Sequence, residues 1–354
     1  MDLKKIFLKD ACPTKIGGQA VLDGIMMKGA DRTAVAVRFP NKDIHIKTEK
    51  LKEPSKWMKY PMIRGVVAFV SSLVMGTKTL MYSADVLESY DGPDAVEYEE
   101  DKVSLWLEKH FGKNKAWNIM LYASVVIALV MTIGIFIILP TAGVNWLNHF
   151  TENEVLLNLA EGVLRIILFI IYVVLISKME DIQNVFRYHG AEHKCIHCFE
   201  NGLELTPANC QTFYTLHPRC GTSFLMFVMV ISLILFSLLG WPNLFWRIAS
   251  RLLLLPVVAG LSYELLRWAG RSDNAVVKVL SMPGLYLQKI TTAEPTDAHL
   301  EVAIAAMKAV MVDPETPCFE GLCDKDGKPL EKKEVSADEA VTTDSIQIDK
   351  EELK

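Results

Sequence analysis

Four stretches of this chain are long and apolar enough to cross a lipid bilayer, and that sets its class before any motif is considered. They are Trp117–Leu139, Val155–Ser177, Thr222–Gly240 and Leu244–Ala269. A helix rises about 1.5 Å per residue, so about 20 apolar residues traverse a hydrocarbon core of roughly 30 Å. Of 354 residues, 51% are apolar and 22% charged, a balance with too little charge to cover a soluble surface. A soluble globule, a disordered chain and a secreted disulfide scaffold are thereby excluded. A fifth stretch, Gly65–Tyr82, is interrupted by Ser71, Ser72, Thr77, Lys78 and Thr79. It reads as an interfacial or re-entrant amphipathic helix. The Ile6-Phe7-Leu8 patch near the N-terminus is too short for a signal-peptide core. The expected fold is mainly α: a polytopic membrane protein with about four transmembrane helices, an interfacial helix and a small β-rich N-terminal cytoplasmic unit.

Charge sets the expected orientation. Residues 1–64 hold 14 Lys and Arg against 7 acids, and the 140–154 loop holds no cation. The 178–221 loop carries Lys178, Arg187, Lys194 and Arg219, and Arg267, Arg271 and Lys278 flank the end of the last run. Basic loops stay in the cytoplasm. The reading is a multi-pass protein of the bacterial plasma membrane with both termini inside. All seven cysteines fall in segments assigned to that side, where unpaired thiols are ordinary.

The chain divides into a β-rich unit (1–64), an interfacial helix and acidic linker (65–116), two spans (117–178), a cytoplasmic metal-site loop (179–221), two more spans (222–270), a cytoplasmic segment with an amphipathic helix (271–312) and a disordered acidic tail (313–354). In the first unit Val35, Val37 and Phe39 alternate, as do Ile44 and Ile46 across the turn cluster Pro40-Asn41-Lys42-Asp43. Four glycines within residues 17–29 imply tight backbone or a loop pressed against something. Leu300, Ile304, Met307 and Met311 recur at helical spacing after Thr296. The tail from residue 313 carries 13 acids against 6 lysines.

The segment that carries chemistry lies between the second and third spans. Of eight histidines, four fall within residues 189–217. His189 and His193 are four apart, so on a helix both imidazoles project from one face and two nitrogens could bind one metal at about 2.0–2.1 Å. With Glu192 they form His-x-x-Glu-His, the inverse of the zincin motif. In such sites the glutamate moves the proton of a water that the metal acidifies. His217 and Cys220 are two further ligand types. Cys195-x-x-Cys198 followed by His217-x-x-Cys220 has the spacing of a closed structural zinc site. Glu264, near the end of the last run, is the candidate distant third ligand, with an ion pair to Arg267 as its alternative. Asp181 lies two turns before His189 and could orient an imidazole. Glu161 and Arg165 are four apart within the second span and would neutralise one another.

Four blocks resemble the YqhQ-like family of bacterial membrane proteins: Gly17-Gly18-Gln19-Ala20-Val21-Leu22-Asp23-Gly24-Ile25-Met26-Met27, His189-Gly190-Ala191-Glu192-His193-Lys194, Leu216-His217-Pro218-Arg219-Cys220-Gly221-Thr222-Ser223-Phe224 and Pro283-Gly284-Leu285-Tyr286-Leu287-Gln288-Lys289-Ile290-Thr291-Thr292. The resemblance runs from about residue 15 to 311. It implies a metal-dependent enzyme of unknown function and places metal character on His189, Glu192, His193, His217 and Cys220. Cys195 and Cys198 are outside that pattern. Asp23 stands where the family usually has glutamate, so a carboxylate remains there on a shorter arm.

The expectation is a membrane protein with a metal site at the cytoplasmic face, in which Glu192 is the catalytic base and His189, His193, His217, Cys220 and Glu264 are the metal ligands. The cofactor is a divalent metal, with zinc favoured by the donor types. The reaction is hydrolysis of a membrane-associated substrate, a membrane protein or a lipid-linked precursor. The alternative is a scaffold or assembly factor whose zinc only braces the loop. A transporter using Glu161, Arg165 and Glu264 ranks last, because no inverted halves are visible. The lipid bilayer is the partner; nucleic acid is not, since topology accounts for the basic N-terminus. A homo-oligomer is compatible with the sequence.

Overall fold

A computed structural model describes residues 16–53, 56–90, 112–147, 149–151, 153–239, 244–269 and 274–323, with isolated positions at 12, 14, 92, 106, 109 and 110. The acidic linker expected at 91–101, Arg271 and the tail beyond residue 323 lie outside the described residues, as does most of the collar before the first span. The strands are β1 (Gly17–Val21), β2 (Gly24–Lys28), β3 (Arg32–Arg38), β4 (Ile44–Lys50) and β5 (Glu320–Cys323). The helices are α1 (Ile63–Glu88), α2 (Lys113–Ile133), α3 (Leu139–Leu147), α4 (Glu154–Ile176), α5 (Glu180–Glu200), α6 (Pro207–Gln211), α7 (Gly221–Ser237), α8 (Leu244–Ala269), α9 (Ala275–Thr291) and α10 (Asp297–Val310). A π-helical segment, Gly134–Ile138, joins α2 to α3.

The strands form one antiparallel sheet in the order β1-β2-β3-β4-β5. The alternation in β3 and β4 is as expected, and Arg38 pairs with Ile44 across the turn. The glycine-rich block, read as tight backbone, folds into the β1–β2 hairpin, where Val21 pairs with Gly24. Its turn residue Asp23 has φ 45°, a left-handed conformation that Asp tolerates. β5 corrects the expectation of a tail disordered from residue 313. Ile44 pairs with Cys323, and Arg32, fully buried, donates to the carbonyls of Asp313, Pro314 and Thr316. An otherwise open edge of β4 supplies the partners, which a reading of local charge does not see.

Side chains alternate across a sheet, and here both faces are covered. Ile25, Met27, Ala34, Ala36, Ile44 and Ile46 pack against α5 and α10. Val21, Met26, Val35 and Val37 pack against Val86 and its neighbours on α1.

Four described helical stretches are long and apolar enough to cross a membrane: Ile63–Glu88, Val126–Leu147, Glu154–Ile176 and Ala249–Ala269. Gly221–Ser237 is apolar but shorter. The expected run Trp117–Leu139 is thus displaced toward α3, and Thr222–Gly240 is trimmed. Large apolar side chains on these helices face outward, among them Val130, Leu252 and Leu253, as lipid contact requires and a soluble surface rarely tolerates.

α1 is one of the stretches long and apolar enough to cross a membrane, where the sequence suggested an interfacial helix, and its second half packs on the sheet. Gly65 presses on Gly260 of α8, and Phe69 meets Phe224 at the start of α7. From Gly76 onward the helix lies on the sheet: Gln19 donates to the Gly76 carbonyl, and the Leu22 amide to Ser83 Oγ. Strands cannot accompany a helix into hydrocarbon. Met75 also packs against the sheet cluster, which leaves residues 63–74, about 18 Å of helix, before the sheet. Val70, Leu73, Val74 and Met81 stay exposed on the far side.

Candidate metal centre

α5 begins with Glu180 and Asp181 in its first turn, where acids favour a helix N-terminus. It then runs into the body beside the sheet, and everything from Gly190 to Cys198 is buried. Gly190 is explained by a neighbour rather than by flexibility: a Cβ there would stand 2.2 Å from the Ala293 carbonyl oxygen. The Ala293 amide donates to the Phe186 carbonyl, which locks the α9–α10 connection onto α5.

His189 and His193 project from one face of α5 with ring centroids 4.5 Å apart. His189 Nδ1 lies 2.8 Å from the Thr291 carbonyl and His193 Nδ1 2.5 Å from the Thr215 carbonyl. A carbonyl only accepts, so each Nδ1 donates to it and Nε2 is the nitrogen left to face the group. This is the arrangement in which a backbone oxygen orients a metal-ligating imidazole. His189 Nε2 is 3.2 Å from Cys220 Sγ, and His193 Nε2 is buried without a partner. Cys220 caps α7, its sulfur accepting the Thr222 amide. One donor atom from each of His189, His193 and Cys220 lies within 4.8 Å of the others, and this is the group among the described residues that could hold a metal ion. Tetrahedral N and S ligands stand roughly 3.3–3.8 Å apart, so these three residues are near the spacing that would hold an ion.

Glu192 is buried beside this group, and its Oε1 accepts the Gly18 amide at 2.7 Å. Burial pushes its carboxyl above the ordinary value, while His189 and the Gly18 amide pull it back. A Cβ on residue 18 would lie 3.2 Å from Glu192 Cδ and 2.5 Å from the Met26 oxygen, so glycine there permits the approach. His217 is buried next to His193 and His197, at centroid distances of 5.5 and 4.6 Å. Its Nε2 has no partner. Burial holds His217 well below its ordinary value and His197 down at about 4, so both are neutral donors. His197 is spent on the Leu216 carbonyl at 3.0 Å.

The structure does not bring Glu264 to the group. Both its oxygens are taken by Arg64, at 2.6 and 2.5 Å, so Arg64 stands in the ion pair expected from Arg267. Nor does Asp181 orient His189, whose Nδ1 goes to a backbone carbonyl. Asp23 accepts from Asn184. Cys195 and Cys198 do not join His217 and Cys220. Cys198 Sγ faces the Glu204 carbonyl at 3.5 Å, and Cys195 and Cys210 are wholly buried in the core. The closed zinc arrangement is therefore not formed.

Several site residues had no sequence signal as such. The Thr215 and Thr291 carbonyls and the Gly18 amide are backbone groups. Gln288 brackets His217, accepting its amide and donating to its carbonyl. Glu200 ties Arg219 to Thr14, whose amide and hydroxyl both donate to Glu200 Oε1, so the segment before β1 is pinned beside the His217–Cys220 loop.

Fold and site together define a class: a helical membrane protein with a sheet-and-helix body that joins two imidazoles and a thiol. Within that class the match is specific. Residues 60–313 match the family described as a protein of unknown function, DUF1385. The chain is 32% identical over 311 residues, covering 86% of it and 94% of the relative, to the "Uncharacterized protein YqhQ" of Bacillus subtilis (strain 168). The chain belongs to this DUF1385, YqhQ-like family, as the four sequence blocks implied. No solved structure matches it.

Proposed function

We propose that the chain is a metal-dependent hydrolase acting on a membrane-associated substrate from the cytoplasmic face of the bacterial plasma membrane. The observation that carries this reading is the convergence of His189, His193 and Cys220 within 4.8 Å, with each imidazole's Nδ1 already given to a backbone carbonyl. Two imidazoles and a thiolate suit a borderline-soft divalent ion, zinc by preference. His217, the fourth candidate by sequence, is less suited as placed, because its Nδ1 accepts the Arg219 amide and the proton therefore sits on Nε2. When bound, the ion supplies Lewis acidity that lowers the pKa of water and polarises a carbonyl or phosphoryl oxygen. Glu192, held by the Gly18 amide, takes the proton of the attacking water and returns it to the leaving group. The multi-pass topology with both termini inside is supported by β1 and β5 sharing one sheet and by the cations of the loops beside it.

The test is metal analysis paired with turnover. Purified full-length chain in lipid nanodiscs should carry about one divalent metal per chain, and His193→Ala or Cys220→Ser should lose it. Glu192→Gln should keep metal and fold yet lose turnover of membrane-bound peptide or phosphoester probes. Full metal content in both His193→Ala and Cys220→Ser would sink the reading. No turnover of either probe by the wild type, with unfolding on metal removal, would favour a scaffold braced by a structural zinc.

A further inference from the structure

His217 stands apart from the three donors that converge, and its bonding is of the opposite kind. It opens the segment His217-Pro218-Arg219-Cys220 that leads into α7. Its backbone is held by the fully buried Gln288 of α9, whose Oε1 accepts the His217 amide at 2.8 Å and whose Nε2 donates to the His217 carbonyl at 2.9 Å. Gln288 Nε2 also donates to Ser223 Oγ of α7 at 3.2 Å, so the residue is fixed against two helices at once. The ring is fixed as well. The Arg219 amide donates to His217 Nδ1 at 3.3 Å, which leaves the ring proton on Nε2. His189 and His193 are arranged the other way round, each donating from Nδ1 to a carbonyl.

The Nε2–H of His217 is buried and meets no acceptor among the described residues. Four buried side-chain nitrogens or oxygens lack a partner there: Arg38 Nε, His193 Nε2, His217 Nε2 and Ser281 Oγ. Two of the four therefore belong to neighbouring rings, those of His193 and His217, whose centroids are 5.5 Å apart. An unmet buried donor is costly, and in a folded protein it calls for a reason, a bound ligand being one. Turning either ring would give up a bond already made: His193 Nδ1 to the Thr215 carbonyl, or the Arg219 amide to His217 Nδ1. The chain thus holds a nitrogen suited to an ion beside an N–H suited to an oxygen, and spends neither on itself.

We infer that His217 is a hydrogen-bond donor to the substrate and not a ligand of the ion: its Nε2–H meets a carbonyl or phosphoryl oxygen of a molecule held at the His189–His193–Cys220 group. The inference rests on the metal-centre reading given above and adds the substrate class to it. That class is an ester, amide or phosphoester, whose oxygen carries or gains negative charge. An N–H fixed in place before the substrate arrives needs no rearrangement when that charge appears, and it acts away from bulk water. The resemblance to the family gives His217 metal character. Here it keeps a place at the centre with a different task, because its second nitrogen is already committed to the backbone.

The test uses full-length chain in lipid nanodiscs, loaded with cobaltous ion as a coloured probe of the centre, with acetate as a small oxygen anion. His217→Leu should keep the cobalt content and absorption spectrum of wild type while acetate binding weakens by about tenfold or more. His217→Gln, which returns an N–H near the position of Nε2, should recover most of that affinity. Nitrogen NMR of the metal-free wild type reads the ring proton directly and keeps the test decisive if the Leu variant does not fold: it should lie on Nε2 in His217. A proton on Nδ1 of His217 would overturn the inference. So would loss of cobalt from folded His217→Leu, which would make His217 a ligand, or equal acetate affinity in wild type and His217→Leu. Wild-type chain that takes up no cobalt would bring down the metal-centre reading itself, and this inference with it.

Discussion

The two ends of α7 place polar groups in opposite states. At the Cys220 end, the His189 and His193 imidazoles are each held through Nδ1 by one backbone carbonyl. At the Leu239 end, Glu161 is held by the guanidiniums of Arg165 and Arg251. One end gathers nitrogen and sulfur donors at a common point, and the other closes charges on one another. The difference follows from solvation. The first cluster sits in a soluble-type body where backbone groups of β1, α9 and the 211–217 loop can approach. The second sits among apolar helices, where a charge can be matched only by another side chain.

The sharpest way to break this comparison is Glu161→Gln. Removing one member of a buried ion cluster costs about 3–5 kcal/mol, so the variant should fail to accumulate in the membrane or melt far below wild type while its metal-site residues are untouched. A wild-type Tm would mean that the arginines are solvated from outside the bundle.

Gly190→Ala probes the other end. The added methyl meets the Ala293 oxygen at 2.2 Å, a backbone atom that cannot swing away. A loss of about 1–3 kcal/mol is expected, along with reduced metal content as α5 shifts; unchanged melting and metal binding would show that the helix contact is loose.

A pH effect is expected on the α10 side of the body. Burial lowers the His299 pKa to about 4 from an ordinary 6.5. The folded state therefore binds the proton more weakly than the unfolded one. The stability this contributes is full above about 6.5 and is lost as pH falls through about 4. Thermal melts across that window should show a smaller decline in His299→Gln than in wild type, and parallel curves would dismiss the effect.

The smallest change is expected from Glu264→Gln. Its ion pair with Arg64 is partly exposed and such pairs contribute about 0–1 kcal/mol. Metal content should stay at the wild-type level. A loss of metal would return Glu264 to the site.

Much of this was legible along the chain. The apolar runs announced the membrane helices because hydrocarbon accepts little else for 20 residues. The four-residue spacing of His189 and His193 placed them on one face, as any helix must. Cys220 joined them because it caps α7, which no spacing rule reveals. Glu264 looked like a ligand from its distance to α5 in the sequence, yet it lies beside the start of α1, where Arg64 reaches it first. The tail looked disordered by charge, but β4 offered residues 320–323 an open edge.

Class, membrane segments and the donor types of the metal group thus rest on the amino-acid sequence alone, because bilayer thickness and helical periodicity act residue by residue. Which donors meet was decided in three dimensions. The Thr215 and Thr291 carbonyls aim the imidazoles, the Gly18 amide holds Glu192, and two arginines from different helices close on Glu161. These are contacts between segments distant along the chain, made by backbone groups that every residue carries and that therefore leave no mark in the sequence.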